Sequence, residues 1–187
     1  MLKAEIAGAI DDKIVKDTIS ISRGSYPTGW ACGNPEDYYS RMLMKQHNIH
    51  ILLRDDGKTV GFLFAIPHDD AVAELRDSDR LMEEDPGAYY IENVAVLPTY
   101  RNKGAFGKML AVLREELKKR GIFRISLHAR VSNNLSGNIQ KKMHIVEIRR
   151  IDAWKYYDYV EPTDYIVAEW PSVSDDICAS NEHSETG

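Results

Sequence analysis

Ile91-Glu92-Asn93-Val94-Ala95-Val96-Leu97-Pro98-Thr99-Tyr100-Arg101-Asn102-Lys103-Gly104-Ala105-Phe106-Gly107-Lys108 changes character twice along its length. The first part is apolar and reads as a strand that ends at Pro98. A short polar turn follows, carrying Arg101, Asn102 and Lys103. Gly104 then opens an amphipathic helix in which Phe106, Leu110, Leu113 and Leu117 recur at i, i+4, i+7 and i+11 and share one face. Glu115 with Lys119, and Glu116 with Arg120, form i, i+4 pairs on the solvent side, and Gly121 ends the helix. A glycine turn feeding a helix N-terminus offers unpaired N–H groups and the positive end of the helix dipole. That arrangement suits a phosphate or pyrophosphate. Gly104 and Gly107 allow close backbone approach, and Arg101, Lys103 and Lys108 add positive charge. The competing reading is a tight turn with no ligand. The Walker spacing is absent, because two residues separate the glycines and Met109 follows Lys108; the G-x-G-x-x-G pattern is absent too. Gly104-Ala105-Phe106-Gly107 matches the G-x-x-G of KH-type RNA modules, a match of four residues only.

Outward from this stretch the period alternates. Helical spacing is expected over residues 11–20, with Asp11 or Asp12 as cap, and over 36–46. Residues 23–35 are rich in Gly and Pro and read as a loop. Strands are expected at 49–54 and 60–66, joined through Asp55-Asp56-Gly57-Lys58, where Asp-Gly favours a tight hairpin. Residues 69–84 read as an acidic, solvated helix that could attract a cationic amine. Strands at 89–97, 122–128, 145–151 and 165–170 and helices at 105–120 and 133–143 complete the body. The class is α/β or α+β around a mixed sheet.

The chain has 187 residues, 43% of them apolar and 28% charged, in keeping with one soluble domain. Its 24 bases face 29 acids, a net charge of -5, which argues against a nucleic-acid partner. Residues 171–187 hold Asp175, Asp176, Glu182 and Glu185 with no Lys or Arg, and read as a disordered acidic tail behind a single domain at 1–170. Cys32 and Cys178 are too few for a disulfide framework, so a reducing, cytoplasmic setting is expected. No apolar run reaches the length of a membrane span, and Glu5 interrupts any leader-like start; no membrane partner is expected.

The strand, Pro98, and Arg101-x-x-Gly104-x-Phe106 before an amphipathic helix resemble the acetyl-CoA signature of the GNAT family of N-acetyltransferases. Its usual form is Gln or Arg, two residues, Gly, one residue, then Gly or Ala; Phe106 departs from the last position. Residues 91–96 are similar to the family's central strand. Asn133, Ser136, Ile139 and Lys142 follow its second cofactor helix, so the resemblance covers roughly residues 89–151. It implies a mixed, centrally splayed β-sheet flanked by helices. It also implies acetyl-CoA as cofactor, held by Val94, Ala95, Val96, Arg101, Asn102, Lys103, Gly104, Ala105, Phe106, Gly107, Lys108 and Asn133. Two further departures stand out: Gln140 occupies the place of the family's acid Tyr, and His144-Ile145 that of its Gly-Phe.

Acetyl transfer to an amine needs a base, a donor for the carbonyl oxygen and an exit for the thiolate. Many family members place a Glu where Glu92 stands, so the resemblance implies Glu92 as general base; on its own residues Glu92 reads rather as a solvated strand residue or a structural ion-pair partner. Tyr156, Tyr157 and Tyr159 are candidates for the missing acid or for a pocket wall. Cys32 lacks an identifiable base and reads as incidental. The six His show no metal-ligand spacing, and His128 reads as packing. The expected activity is acetyl transfer from acetyl-CoA to a small-molecule or peptide primary amine by direct attack. The alternative is an acyl-CoA-binding sensor or regulatory module with little turnover. A homodimer is left open.

Overall fold

The computed structural model describes residues 1–26, 34–156 and 159–170, with the side chains of residues 156 and 159 excluded. Seven strands form one sheet in the order β1-β2-β3-β4-β5-β7-β6. These are β1 (Lys3–Ile6), β2 (Ile49–Asp55), β3 (Lys58–Pro67), β4 (Ala88–Val96), β5 (Arg124–Arg130), β6 (His144–Tyr156) and β7 (Tyr159–Glu169). Among the described residues five α-helices flank it: α1 (Asp12–Ser25), α2 (Pro35–Met44), α3 (His68–Leu75), α4 (Ala105–Lys119) and α5 (Leu135–Gln140). Helices α1, α2 and α3 cover one face and α4 and α5 the other. The mixed, helix-flanked sheet is the expected class. Among the described residues no helix is long and apolar enough to cross a membrane.

Local chemistry explains the elements. Asp11 caps α1, accepting from the Ile14 N–H at 2.8 Å, and Asn34 caps α2 by accepting from Asp37 N–H at 3.3 Å. The β2–β3 hairpin turns through Asp56 (φ 46°) and Gly57 (φ 80°), the left-handed pair that Asp-Gly provides. Helix α4 buries Met109, Leu113 and Leu117 completely, at roughly 1.5–3 kcal/mol each. Phe106, expected on that face, is only half-buried because it sits on the first turn, over the groove described below.

Three expectations change. Strand β1 was absent from the sequence reading; its four residues are too short to show a period, and pairing with β2 makes it a strand. The acidic helix at 69–84 stops at Leu75, and Asp79, read as solvated, is 4% exposed and turned inward. The expected helix at 133–143 shrinks to α5, behind a short 3₁₀ turn at Val131–Asn133. Cys32, Cys178, Tyr157, the tail at 171–187 and most of the loop at 23–35 lie outside the described residues.

Strands β4 and β5 set the site. They are the parallel neighbours in the middle of the sheet, and they pair only from Ala88↔Arg124 to Tyr90↔Ser126. Beyond Tyr90, β5 goes on pairing with β7 and β4 with β3, so the two diverge. The sheet is splayed at its centre.

Candidate active site

The bottom of the splay is shaped by one irregularity. Phe64 pairs with Asn93 and Ala65 with Ile91, which leaves Glu92 as an extra residue in β4. Such a bulge breaks the alternation of side chains. Glu92 and Asn93 consequently both face the α1–α2 layer: Tyr38 Oη of α2 donates to Glu92 Oε1 at 2.7 Å, and Asn93 Nδ2 donates to Tyr39 Oη at 3.4 Å. Tyr90 lies on the same side, while Ile91 packs toward α4.

Glu92, Tyr90, Asn93 and Val94 line one wall of a cavity of about 130 Å³, and Leu127, His128 and Trp154 line another. Its remaining wall includes Leu75 and Leu135. A cavity of that size admits about four waters, or the slim end of an organic molecule. It adjoins a longer groove of about 680 Å³ bordered by Val94, Ala95, Val96, Arg101, Phe106 and Asn133. Tyr26, Val94 and Asn133 belong to both spaces and mark where they meet.

The groove's floor is the strand edge exposed by the splay. The Val94 carbonyl accepts from Tyr26 Oη at 2.8 Å, and the Val96 carbonyl accepts from Arg101 Nε at 3.1 Å, so both face away from β3. Tyr26 Oη also lies against Asn93 Oδ1. Arg101 Nη2 reaches the Ser25 carbonyl at 2.5 Å, tying the loop to the end of α1. Arg101 therefore spends its hydrogen bonds on the protein backbone, whereas the sequence offered it simply as positive charge. Ala95 is buried in the α1–α2 core.

At the groove's far end Gly104 has φ 73° and caps α4, with no side chain capping the first turn. A Cβ built on Gly104 would meet nothing within 4 Å, so the space above it is open. Asn102 shares the left-handed conformation at φ 60°. The glycine is set by the backbone, and the open side is available to a ligand. Ala105 is buried, Gly107 has Lys142 Nζ beside it, and Lys103 and Lys108 are exposed. A helix N-terminus flanked by three lysines, open above its glycine and adjoining the groove through Arg101 and Phe106, fits a pyrophosphate on an extended thiol arm. Asn133 Oδ1 accepts from the Leu135 N–H at 2.9 Å and shapes the groove's other bank. Gln140, at the place of the acid, is exposed and donates to Ser136 Oγ at 3.0 Å; it borders neither space.

Sequence reasoning missed a polar chain behind the cavity. Tyr90 Oη lies 2.9 Å from His128 Nδ1, and His128 Nε2 lies 3.1 Å from Asp79 Oδ2. Arg149 grips Asp79 with both terminal nitrogens, at 3.0 and 2.8 Å. His128 stacks on Trp154 with ring centroids 4.1 Å apart and planes 18° apart. Burial holds the His128 imidazole toward its neutral form and pushes the Tyr90 phenol well up. Burial works against the Asp79 carboxylate, but hydrogen bonds from His128 and Arg149 overcome it and keep the group well below the usual carboxylate range. Four segments far apart in the chain supply these residues, so no spacing in the sequence announces them.

The sequence matches none of the curated proteins. Solved structures do match. The ribosomal-protein-S18-alanine N-acetyltransferase of Escherichia coli is 17% identical with a TM-score of 0.64, over 92% of this chain and 96% of that one. Arabidopsis thaliana NAA60 in complex with acetyl-CoA is 18% identical with a TM-score of 0.62, over 89% and 97%. An aminoglycoside 6'-N-acetyltransferase complexed with coenzyme A is 13% identical with a TM-score of 0.63, over 90% and 98%. At these identities they establish a shared fold. The model of the acetyltransferase (GNAT) family matches residues 15–142, from α1 through the groove and the splay to α5, and on that match the chain belongs to the GNAT family of acetyl-CoA-dependent acetyltransferases.

Proposed function

We propose that the protein moves an acetyl group from acetyl-CoA to a primary amine by direct attack, with Glu92 as general base. The observation that carries this is that Glu92 lines the small cavity where the groove ends, with Asn93 brought beside it by the β4 bulge. Bound acetyl-CoA supplies an activated thioester. The chain's own residues do the rest. The groove-facing backbone of Val94 and Val96 orients the arm, and the loop Arg101, Asn102, Lys103, Gly104, Ala105, Phe106, Gly107, Lys108 receives the pyrophosphate, with Asn133 and Ala95 shaping the channel. Glu92 accepts the proton of the incoming amine, directly or through one water, so that nitrogen attacks with its lone pair free. Tyr38 holds the carboxylate in place by donating to Oε1 at 2.7 Å. A backbone N–H of β4 is the donor for the carbonyl oxygen.

The acceptor is a small-molecule or peptide amine. The volume of about 130 Å³ and the Leu75, Trp154 and Leu135 walls favour a slim, uncharged stem behind the nitrogen. Coenzyme A thiolate leaves without a dedicated acid, its thiol having roughly the acidity of a free cysteine, which accommodates Gln140. The test measures thiol release from acetyl-CoA with a free-amino-terminus peptide and an alkylamine, beside acetyl-CoA binding by calorimetry. Binding without thiol release from either amine, or no binding, would overturn the reading.

A further inference from the structure

We propose that Tyr90, His128 and Asp79 form a proton relay opening on the same cavity as Glu92, with Arg149 fixing its anionic end. The inference rests on the acetyl-transfer reading above and adds a second proton path to it. Asp79 is an acceptor only, and its oxygens take hydrogen bonds from Arg149 twice and from the Leu81 N–H at 3.1 Å. Nothing on that carboxylate can donate to His128, so the proton between them belongs to Nε2. Nδ1 then carries the lone pair, and the Tyr90 hydroxyl must be its donor. The tautomer is dictated by the ion pair at the far end of the chain. Trp154 stacked on one side and Tyr165 at 5.0 Å fix the ring plane.

Tyr90 and His128 both border the cavity, and Tyr90 spends its own proton on Nδ1. Its phenolic oxygen is left as an acceptor for an amine N–H or a water. Glu92 takes the first proton, which frees the lone pair; as the nitrogen–carbon bond forms and the carbon–sulfur bond breaks, the second proton that nitrogen must shed passes to Tyr90 Oη and the tyrosine proton to His128 Nδ1. The resulting imidazolium lies against the Asp79 carboxylate. The proton returns by the same path to the departing sulfur or to water, and the relay resets. Groups facing His128 are Tyr90 on β4, Asp79 after α3, His68 on α3, Arg149 on β6 and Tyr165 on β7; Arg149 and His68 oppose its charging and Asp79 favours it, while Glu92 acts on Tyr90. Asp79 and Arg149 are positioning residues, since neither reaches the cavity. The sequence signal is weak because Asp79 sits in an acidic run that looks solvated.

The experiment pairs spectroscopy with kinetics on the full chain. Nitrogen NMR of histidine-labelled protein at pH 7 should show His128 protonated at Nε2 and bare at Nδ1. In Asp79→Asn the amide oxygen stays with Arg149 and its NH₂ faces Nε2, so the tautomer should invert. Tyr90→Phe keeps the packing, and should keep the melting temperature and the acetyl-CoA KM while lowering kcat about 100-fold. A wild-type Nδ1–H tautomer, or full kcat and an unaltered pH–rate profile in Tyr90→Phe, overturns the relay alone. Binding without turnover by the wild type against both probe amines overturns the acetyl-transfer reading and the relay with it. Should Asp79→Asn fail to fold, Tyr90→Phe and the wild-type spectrum decide.

Discussion

Glu92 keeps the phase of Tyr90 and Asn93 that of Ala95, so the bulge between them sets both side chains on the same face of the sheet. A regular β4 would give either Glu92 or Asn93 to the α1–α2 face, not both. Glu92→Gln keeps the side chain's shape and its contact with Tyr38 while removing the proton acceptor. Acetyl-CoA affinity should hold, turnover should drop about 100-fold, and the deficit should shrink as pH rises toward the amine's own pKa. Equal activity at neutral pH would remove Glu92 from the mechanism. The sequence singles out the carboxylate through its family resemblance, but not the bulge that brings Asn93 to its side, since a bulge is a property of two paired strands. His50 gives an independent test of burial. Its ring lies edge-on to Phe64 at 4.8 Å with neither nitrogen in a hydrogen bond of normal geometry, and burial lowers its pKa to about 4, with the Leu43 carbonyl offsetting little. The folded form is neutral, so protons favour the unfolded chain. The stabilisation is complete above the unfolded value of 6.5 and drains as pH falls from there to about 4, by about 3 kcal/mol. His50→Phe should flatten that part of the curve, read as the change in urea midpoint between pH 7 and pH 4.5; an unchanged slope would mean that the ring is solvated.

Helix α4 shows how an element can be legible in period and still surprise in detail. Its apolar repeat located it to within a residue. The repeat does not show that Met109 outranks Phe106 in burial, because Phe106 falls on the first turn, over the groove, and Met109 one turn further in, against the core. Gly104 belongs to this scale, since its φ of 73° is what lets β4's exit become α4's start. The Cβ of Gly104→Val enters open space; the substitution strains the backbone by about 1–2 kcal/mol and occupies the space above the loop. The expected result is a folded protein with coenzyme A affinity largely lost, and a folded Gly104→Val that binds normally would dissociate the loop from the pyrophosphate. Helix α1 gives a control. Asp11→Ala removes a cap far from the groove and should cost about 1 kcal/mol in chemical denaturation with coenzyme A affinity intact. The shortening of the expected acidic helix to α3 has a physical cause: Asp79 gains more from Arg149 and His128 inside than from water outside. A pattern of charges cannot show which of them will find a buried partner.

As a whole, the molecule is two half-sheets joined at the centre by three residue pairs. The alternation of periods and the glycine turn make the class and the start of α4 readable, whereas the long β6–β7 hairpin reads as two short strands because its bulges at Val146 and near Ile151 interrupt the period-two pattern. A ligand that binds across this junction should stabilise the entire fold. At a hundredfold excess over its Kd, coenzyme A should add about 2.7 kcal/mol, or roughly 5–10 °C in melting temperature, measured by scanning calorimetry. No shift under saturation would show that the groove is not its site. The splay has another consequence. Between Ile91 and Val96 the protein carries a strand edge in its interior rather than at its rim, where charges and prolines usually guard such edges. In the unliganded protein this seam is a template for any extended chain, including the same segment of a neighbour that has opened on warming. Coenzyme A is then also a plug. Turbidity of a concentrated sample heated below its melting point should fall when the ligand is added, and a stabilising substitution remote from the seam should not reproduce that protection.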